Sequence, residues 1–469
     1  MRKGKLYVIG IDQMVLPLTR HFAQEGSIPT IAKLLERSAA CKALPNYPSY
    51  TCNNWPVIAT GANTGTHGAF AWFIRMPDGK DVTSLTSLGI NAEFIWEAAE
   101  RQGLKSAVIH YPGSGPSRLK QGYVIDGFAG PAYAASPYEL AAAEAYDTSP
   151  DLQSIPVREI ALTPAEEPAL SGAKGWRGLA QGTQALQASI PIRTKKEEDY
   201  QTWQVLVLGG PGGYDRVVVC REKDLATKLA ECALNQWSDW GRVRIGDREG
   251  TVRFKLTGLT PDGKRLKLFR SQIMPTSDFG EPGEICSELV EKIGPYQEHV
   301  SQMFASLGAV DYQTCVEEAD YQLQWFVKAA LYLTKEKGCD LFYSHWHFLD
   351  DINHWHLAHL DPKWVRYNPS EVQQHWDDVR QAYQAVDRGM ATLLEGVTED
   401  DYVVLISDHG CSPINRVVFM EKFLADKGFL VLKSPRTPKT TMVENWNDQI
   451  DWEKSKVWLH EGVFLDTFN

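Results

Sequence analysis

The sequence predicts an α/β protein: a mostly parallel sheet flanked by helices, carrying an inserted β-rich subdomain. Three observations predict it. Leu6-Tyr-Val-Ile-Gly-Ile-Asp12 and Tyr402-Val-Val-Leu-Ile-Ser-Asp408-His409-Gly410 are short apolar, β-branched runs that suit strands buried on both faces. Around them, strand-like and helix-like stretches alternate, as in βαβ units. Between about residues 202 and 274 the texture changes to strictly alternating strands separated by Gly- and Pro-rich turns, the pattern of antiparallel hairpins.

Taken in order, the first run ends in a carboxylate, and an amphipathic helix is expected from about 28 to 39, with Ile28, Ile31, Leu34 and Leu35 on one face. Tyr47-Pro-Ser-Tyr-Thr51-Cys-Asn-Asn54 leads into a short helical segment, with Thr51 as its expected N-cap. His67-Gly68 is read as shaping a loop. A helix near 92–102 precedes strands at Ser106–His110 and Tyr123–Asp126, and loops are expected from Gly127 to about Pro168. The Arg and Lys residues of the hairpin region are read as its solvated face. A helix beginning near Tyr321 is followed by the strand Asp340–Ser344, a histidine-rich turn and a long helix from about 369 to 394. The chain divides into residues 1–150 and 311–469, the two parts of one core, and residues 151–310, the inserted subdomain.

At 469 residues, the chain exceeds one simple core. A net charge of −11 argues against long nucleic acid or an anionic membrane as the main partner, whereas a small anionic substrate remains compatible with a local metal cluster. No apolar stretch approaches the ~18 residues that span a membrane. The eight cysteines form no Cys-x-x-Cys pair, which favours free thiols in a reducing compartment and points to the cytoplasm.

Polar residues collect where strands end, and in α/β sheets ligands bind at the carboxyl rim. Each has a plainer reading. Asp12 alone could cap a turn, and Thr51 could be only a helix cap. The cluster His345, His347, Asp350, Asp351, His354, His356 and His359 could be a solvated turn, although Asp350 and His354, four apart, would share a helix face. A carboxylate with an imidazole suits zinc, manganese or iron.

Asp12, Thr51 with Asn54, Leu349-Asp-Asp-Ile-Asn-His354 and Ser407-Asp-His-Gly410, in this order, resemble the alkaline phosphatase superfamily, and within it the type I phosphodiesterase/nucleotide pyrophosphatase branch. The resemblance covers about residues 5–70 and 338–435. It implies an alkaline-phosphatase-like fold and two divalent metal ions, usually zinc. Asp12, Asp408 and His409 would hold one beside a Thr51 nucleophile, and Asp350 and His354 the other. Asn54 would contact a phosphate oxygen. The implied activity is hydrolysis of a phosphodiester or pyrophosphate bond in a small anionic phosphoester through a phosphothreonine intermediate. The alternatives are a phosphomonoesterase or phosphomutase of the same superfamily, or a scaffold that has lost turnover. Thr51-Cys-Asn-Asn-Trp does not match the Cys/Ser-x-Pro-x-Arg of sulfatases. The family pattern also needs a further histidine C-terminal to Asp408-His409. Only His460 is available, which leads to the expectation that the sequence is a C-terminally truncated piece.

Overall fold

A computed structural model describes residues 4–47, 49–75, 81–128, 137–148, 171–416, 420–433 and 450–457. Its organising feature is a six-stranded sheet built from β1 (Leu6–Ile11), β2 (Ser106–Ile109), β3 (Gly122–Ile125), β4 (Gly280–Glu281), β5 (Leu341–Trp346) and β6 (Tyr402–Ile406), in the order β4-β3-β2-β5-β1-β6. All neighbours run parallel except β4, which pairs antiparallel with β3. In β1 and β5 the side chains alternate between two cores. Tyr7, Ile9, Ile11 and Phe342 join the core formed with the helices Tyr312–Lys335 and Val372–Gly396. Val8, Leu341 and Tyr343 face Trp55, Phe94, Trp96 and Tyr111 on the other side. The sheet is therefore covered on both faces, as the sequence predicts for buried parallel strands.

Two strand expectations need correction. β6 is not buried on both faces. Among the described residues it pairs only with β1, and Tyr402 and Val404 are 71% and 41% exposed. An apolar run cannot by itself distinguish a central strand from an edge strand. Residues Glu144–Asp147, expected in a loop, form a strand against Leu266–Arg270.

The alternating region forms three antiparallel sheets, one of five strands and two of three, and it begins earlier than expected: the strand Ala185–Ile192 already pairs with Gln201–Gly210. Its inward residues, among them Trp203, Val205, Val217, Phe254 and Leu268, make a core of their own. Not all its cations are solvated. Arg253, Lys255 and Arg270 are buried because each finds a partner there. Lys255 Nζ donates to Glu317 Oε2 at 2.6 Å, Arg270 meets Glu144, and the Arg253 guanidinium lies 4.1 Å from the Trp237 ring centre.

Two helices flank the long connection into β5 and carry the site: α1 (Thr51–Thr60) and α2 (Phe348–His356), the latter packed on α3 (Val372–Gly396). Tyr50, not Thr51, is the N-cap of α1, and Thr51 is the first helical residue. Asn53 Oδ1 accepts from the Tyr50 N–H at 3.1 Å, which starts the helix one residue sooner than a threonine cap would.

Candidate functional site

Because β1, β2, β3, β5 and β6 are parallel, their carboxyl ends share one rim. β1 delivers Asp12 to it, β5 delivers His345 and then His347, and β6 delivers Asp408 and His409. The adjacent helices bring Thr51, Asp350 and His354.

Asp12 is fully buried. Its Oδ2 accepts from Trp55 Nε1 at 3.2 Å and lies 3.0 Å from His345 Nε2 and 3.2 Å from His347 Nδ1. Thr51 Oγ1 is 3.0 Å from His409 Nε2, which lies 3.7 Å from Asp12 Oδ1 and 3.3 Å from Asp408 Oδ2. On α2, His354 Nε2 is 3.3 Å from Asp350 Oδ2, the same-face arrangement expected from their spacing. Donor atoms of Asp12, Asp350 and His409 all lie within 4.8 Å of one another, so residues that the family resemblance divides between two metals meet in one cluster. Asn54, one helical turn after Thr51, is buried. Its Oδ1 accepts from the Asn46 N–H at 2.7 Å, and its Nδ2 makes no hydrogen bond. His67 closes a short helical turn, its Nδ1 accepting from the Ala69 N–H at 3.1 Å. His460 lies outside the described residues.

The carboxylates test whether cations fit here. Asp12 Oδ1 and Asp408 Oδ2 are buried and make no hydrogen bond. Burial, with Asp12 and Asp350 nearby, pushes the Asp408 carboxyl well above the usual carboxylate range. Burial also works to raise Asp12, but hydrogen bonds from His345 and His347 outweigh it and hold Asp12 well below that range. Burial works to lower His347, yet Asp351, Asp12 and Asp350 raise it to about 10. Buried carboxylates crowded together with unshared oxygens need positive charge, and divalent ions supply it more strongly than one imidazolium does. The oxygen and imidazole donors fit such ions.

Sequence reasoning missed four participants. His345 and His347 were expected directly after the Asp340–Ser344 strand, in the histidine-rich cluster, but not as partners of Asp12. Trp55 read as packing. Gln13 gave no signal: it sits buried with φ +51, a left-handed conformation that is costly outside glycine. Its Nε2 donates to Asp350 Oδ1 and lies 3.2 Å from His354 Nε2, filling the space between the two α2 residues.

The sequence model of one family, type I phosphodiesterase / nucleotide pyrophosphatase, matches residues 6–205 and 271–458. Among solved structures, the chain is similar to phosphonoacetate hydrolase from Sinorhizobium meliloti 1021 in complex with phosphonoformate, at 13% identity and a TM-score of 0.40, over 94% of this chain and 66% of that one. The complex of the same hydrolase with phosphonoacetate gives 12% identity, a TM-score of 0.40 and the same coverage. The chain thus spans just under two thirds of that hydrolase's length. No curated protein matches the chain.

Proposed function

The chain belongs to the type I phosphodiesterase / nucleotide pyrophosphatase family, and on that premise we propose that it is a metal-dependent hydrolase cleaving a phosphodiester or pyrophosphate bond through a phosphothreonine intermediate on Thr51. The observation that carries the reading is the approach of Thr51 Oγ1 to His409 within a cluster that also gathers Asp12, Asp350 and Asp408.

Asp12, Asp408 and His409 would hold one divalent ion, and Asp350 and His354 a second, with zinc the first choice and manganese or iron the alternatives. When bound, such ions lower the pKa of a hydroxyl and neutralise charge on the phosphoryl oxygens. The chain supplies the rest. Thr51 opens a helix, so a phosphoryl group bound there meets the positive end of the helix dipole. The Thr51 oxygen attacks phosphorus in line as the bond to the leaving oxygen breaks. Asn54 Nδ2, which has no hydrogen-bond partner, donates to a non-bridging oxygen. Water then hydrolyses the threonine ester and restores the hydroxyl. The antiparallel sheets around the core of Trp203, Val217 and Phe254 are proposed to help enclose a small anionic phosphoester.

No helix among the described residues is long and apolar enough to cross a membrane. The cytoplasm is the proposed setting, in keeping with eight cysteines that form no disulfide.

Turnover of bis-p-nitrophenyl phosphate against p-nitrophenyl phosphate, with and without added zinc or manganese, tests the proposal. A metal-dependent preference for the diester supports it. A preference for the monoester would favour a phosphatase or mutase, and no turnover of either by metal-loaded protein would favour a scaffold.

A further inference from the structure

We propose that His356, His375 and Asp378 form a further divalent-metal site, of zinc type, that ties the end of α2 to α3. His356 closes α2 two residues beyond His354, while His375 and Asp378 lie three apart on α3 and so share a face. His356 Nδ1 is 2.9 Å from His375 Nδ1 and 3.6 Å from Asp378 Oδ2, and one donor atom from each of the three lies within 4.8 Å of the others.

A hydrogen bond alone explains this arrangement poorly. Two imidazole nitrogens facing each other can share only one proton, so the pair of rings gains a single bond. Around a tetrahedral ion with Zn–N near 2.0–2.1 Å, ligand nitrogens stand about 3.3–3.4 Å apart. The two rings therefore need to part by only roughly half an ångström, well within side-chain adjustment.

Asp378 is held as a metal ligand is usually held, through its other oxygen, while ring contacts hold the two histidines. Gln374 Nε2 donates to Asp378 Oδ1 at 2.8 Å, leaving Oδ2 to face His356. The Tyr312 ring meets His356 edge-on, and its hydroxyl donates to the Asp378 carbonyl at 2.7 Å. His359 stacks on His375 with ring centres 4.0 Å apart, and its own Nδ1 is buried without a hydrogen-bond partner. His359, Glu371 and His375 make a second, overlapping donor set. His375 belongs to both sets, so the structure assigns one ion. Glu371 is exposed and gives that ion a way in from solvent. Imidazole and carboxylate donors without a thiolate suit zinc. The ion would fix the end of the helix that presents Asp350 and His354.

Metal content of the full chain, loaded with zinc and freed of excess, tests the assignment. A His356→Gln/His375→Gln variant is expected to carry one ion fewer than the wild type. An Asp12→Asn/Asp408→Asn variant, altered at the strand rim, is expected to keep that ion, which separates this site from the proposed active site. Asp378→Asn preserves an acceptor for Gln374 and is expected to lose the same ion at a roughly tenfold lower chelator concentration. A wild-type count in the double histidine variant would overturn the proposal. Should that variant not fold, unchanged retention in Asp378→Asn overturns it instead.

Discussion

Trp55 Nε1 donates to Asp12 Oδ2 at 3.2 Å, so the carboxylate at the end of β1 is aimed by the helix that begins with Thr51. Trp55 is itself fully enclosed, edge-on to His345 and Tyr111. Trp55→Phe removes one donor from a buried carboxylate and leaves a gap. The expected cost is about 2–4 kcal/mol in urea unfolding, together with weaker metal retention. Wild-type stability and metal content in that variant would show that the contact is incidental.

Gly10 makes that placement sterically feasible. A Cβ built there would lie 2.4 Å from Trp55 Cζ3 and 3.2 Å from the Ser344 carbonyl oxygen. Gly10→Ala must push the indole off Asp12 or open the β1–β5 pairing. A loss of about 1–3 kcal/mol is expected, along with lowered turnover of bis-p-nitrophenyl phosphate. An unchanged thermal midpoint would mean that the rim yields easily.

A different buried charge supports the antiparallel region. Arg270 Nη2 lies 3.3 Å from Glu144 Oε2 and Arg270 Nε lies 3.3 Å from the Tyr146 hydroxyl, with Arg270 and Glu144 both 1% exposed. Glu144→Ala removes the carboxylate that offsets the buried guanidinium's charge and is expected to cost about 3–5 kcal/mol. Adding Arg270→Met should recover much of it. Equal stability of the single and double variants would contradict this account.

His299 gives the stability a pH dependence. Burial, with His110 adjacent, lowers it to about 3 even though Asp126 acts to raise it. An unfolded histidine titrates near 6.5. As pH falls from about 6.5 towards 3, the unfolded chain therefore binds the proton first and this group loses stability, by at most about 1.4 kcal/mol per pH unit. Above that window its contribution is constant. The urea-midpoint difference between the wild type and His299→Asn should shift against the wild type as pH drops from 7 to 5. A constant difference would refute it.

The fold was legible where periodicity speaks directly. The runs ending at Asp12 and Asp408, and the four-residue step from Asp350 to His354, each carry a geometry that the chain obeys. What escaped was set by tertiary neighbours. Tyr402–Ile406 has the composition of a central strand but stands at an edge. Arg270 and Lys255 read as solvent-facing because Glu144 lies 126 residues from the first and Glu317 lies 62 from the second. His345 and His347 became Asp12 partners only when β5 paired with β1, and Gln13 entered the site through a left-handed backbone that no pattern announces.

The proposed mechanism requires that Thr51 become covalently phosphorylated or nucleotidylated during turnover. Acid quenching of metal-loaded protein during turnover of bis-p-nitrophenyl phosphate, followed by peptide mass spectrometry, tests it most directly. A nitrophenyl-phosphoryl adduct is expected on Thr51 and absent from Thr51→Ala, with turnover in that variant reduced at least about 10³-fold. An adduct on another residue, or undiminished turnover by Thr51→Ala, would contradict it.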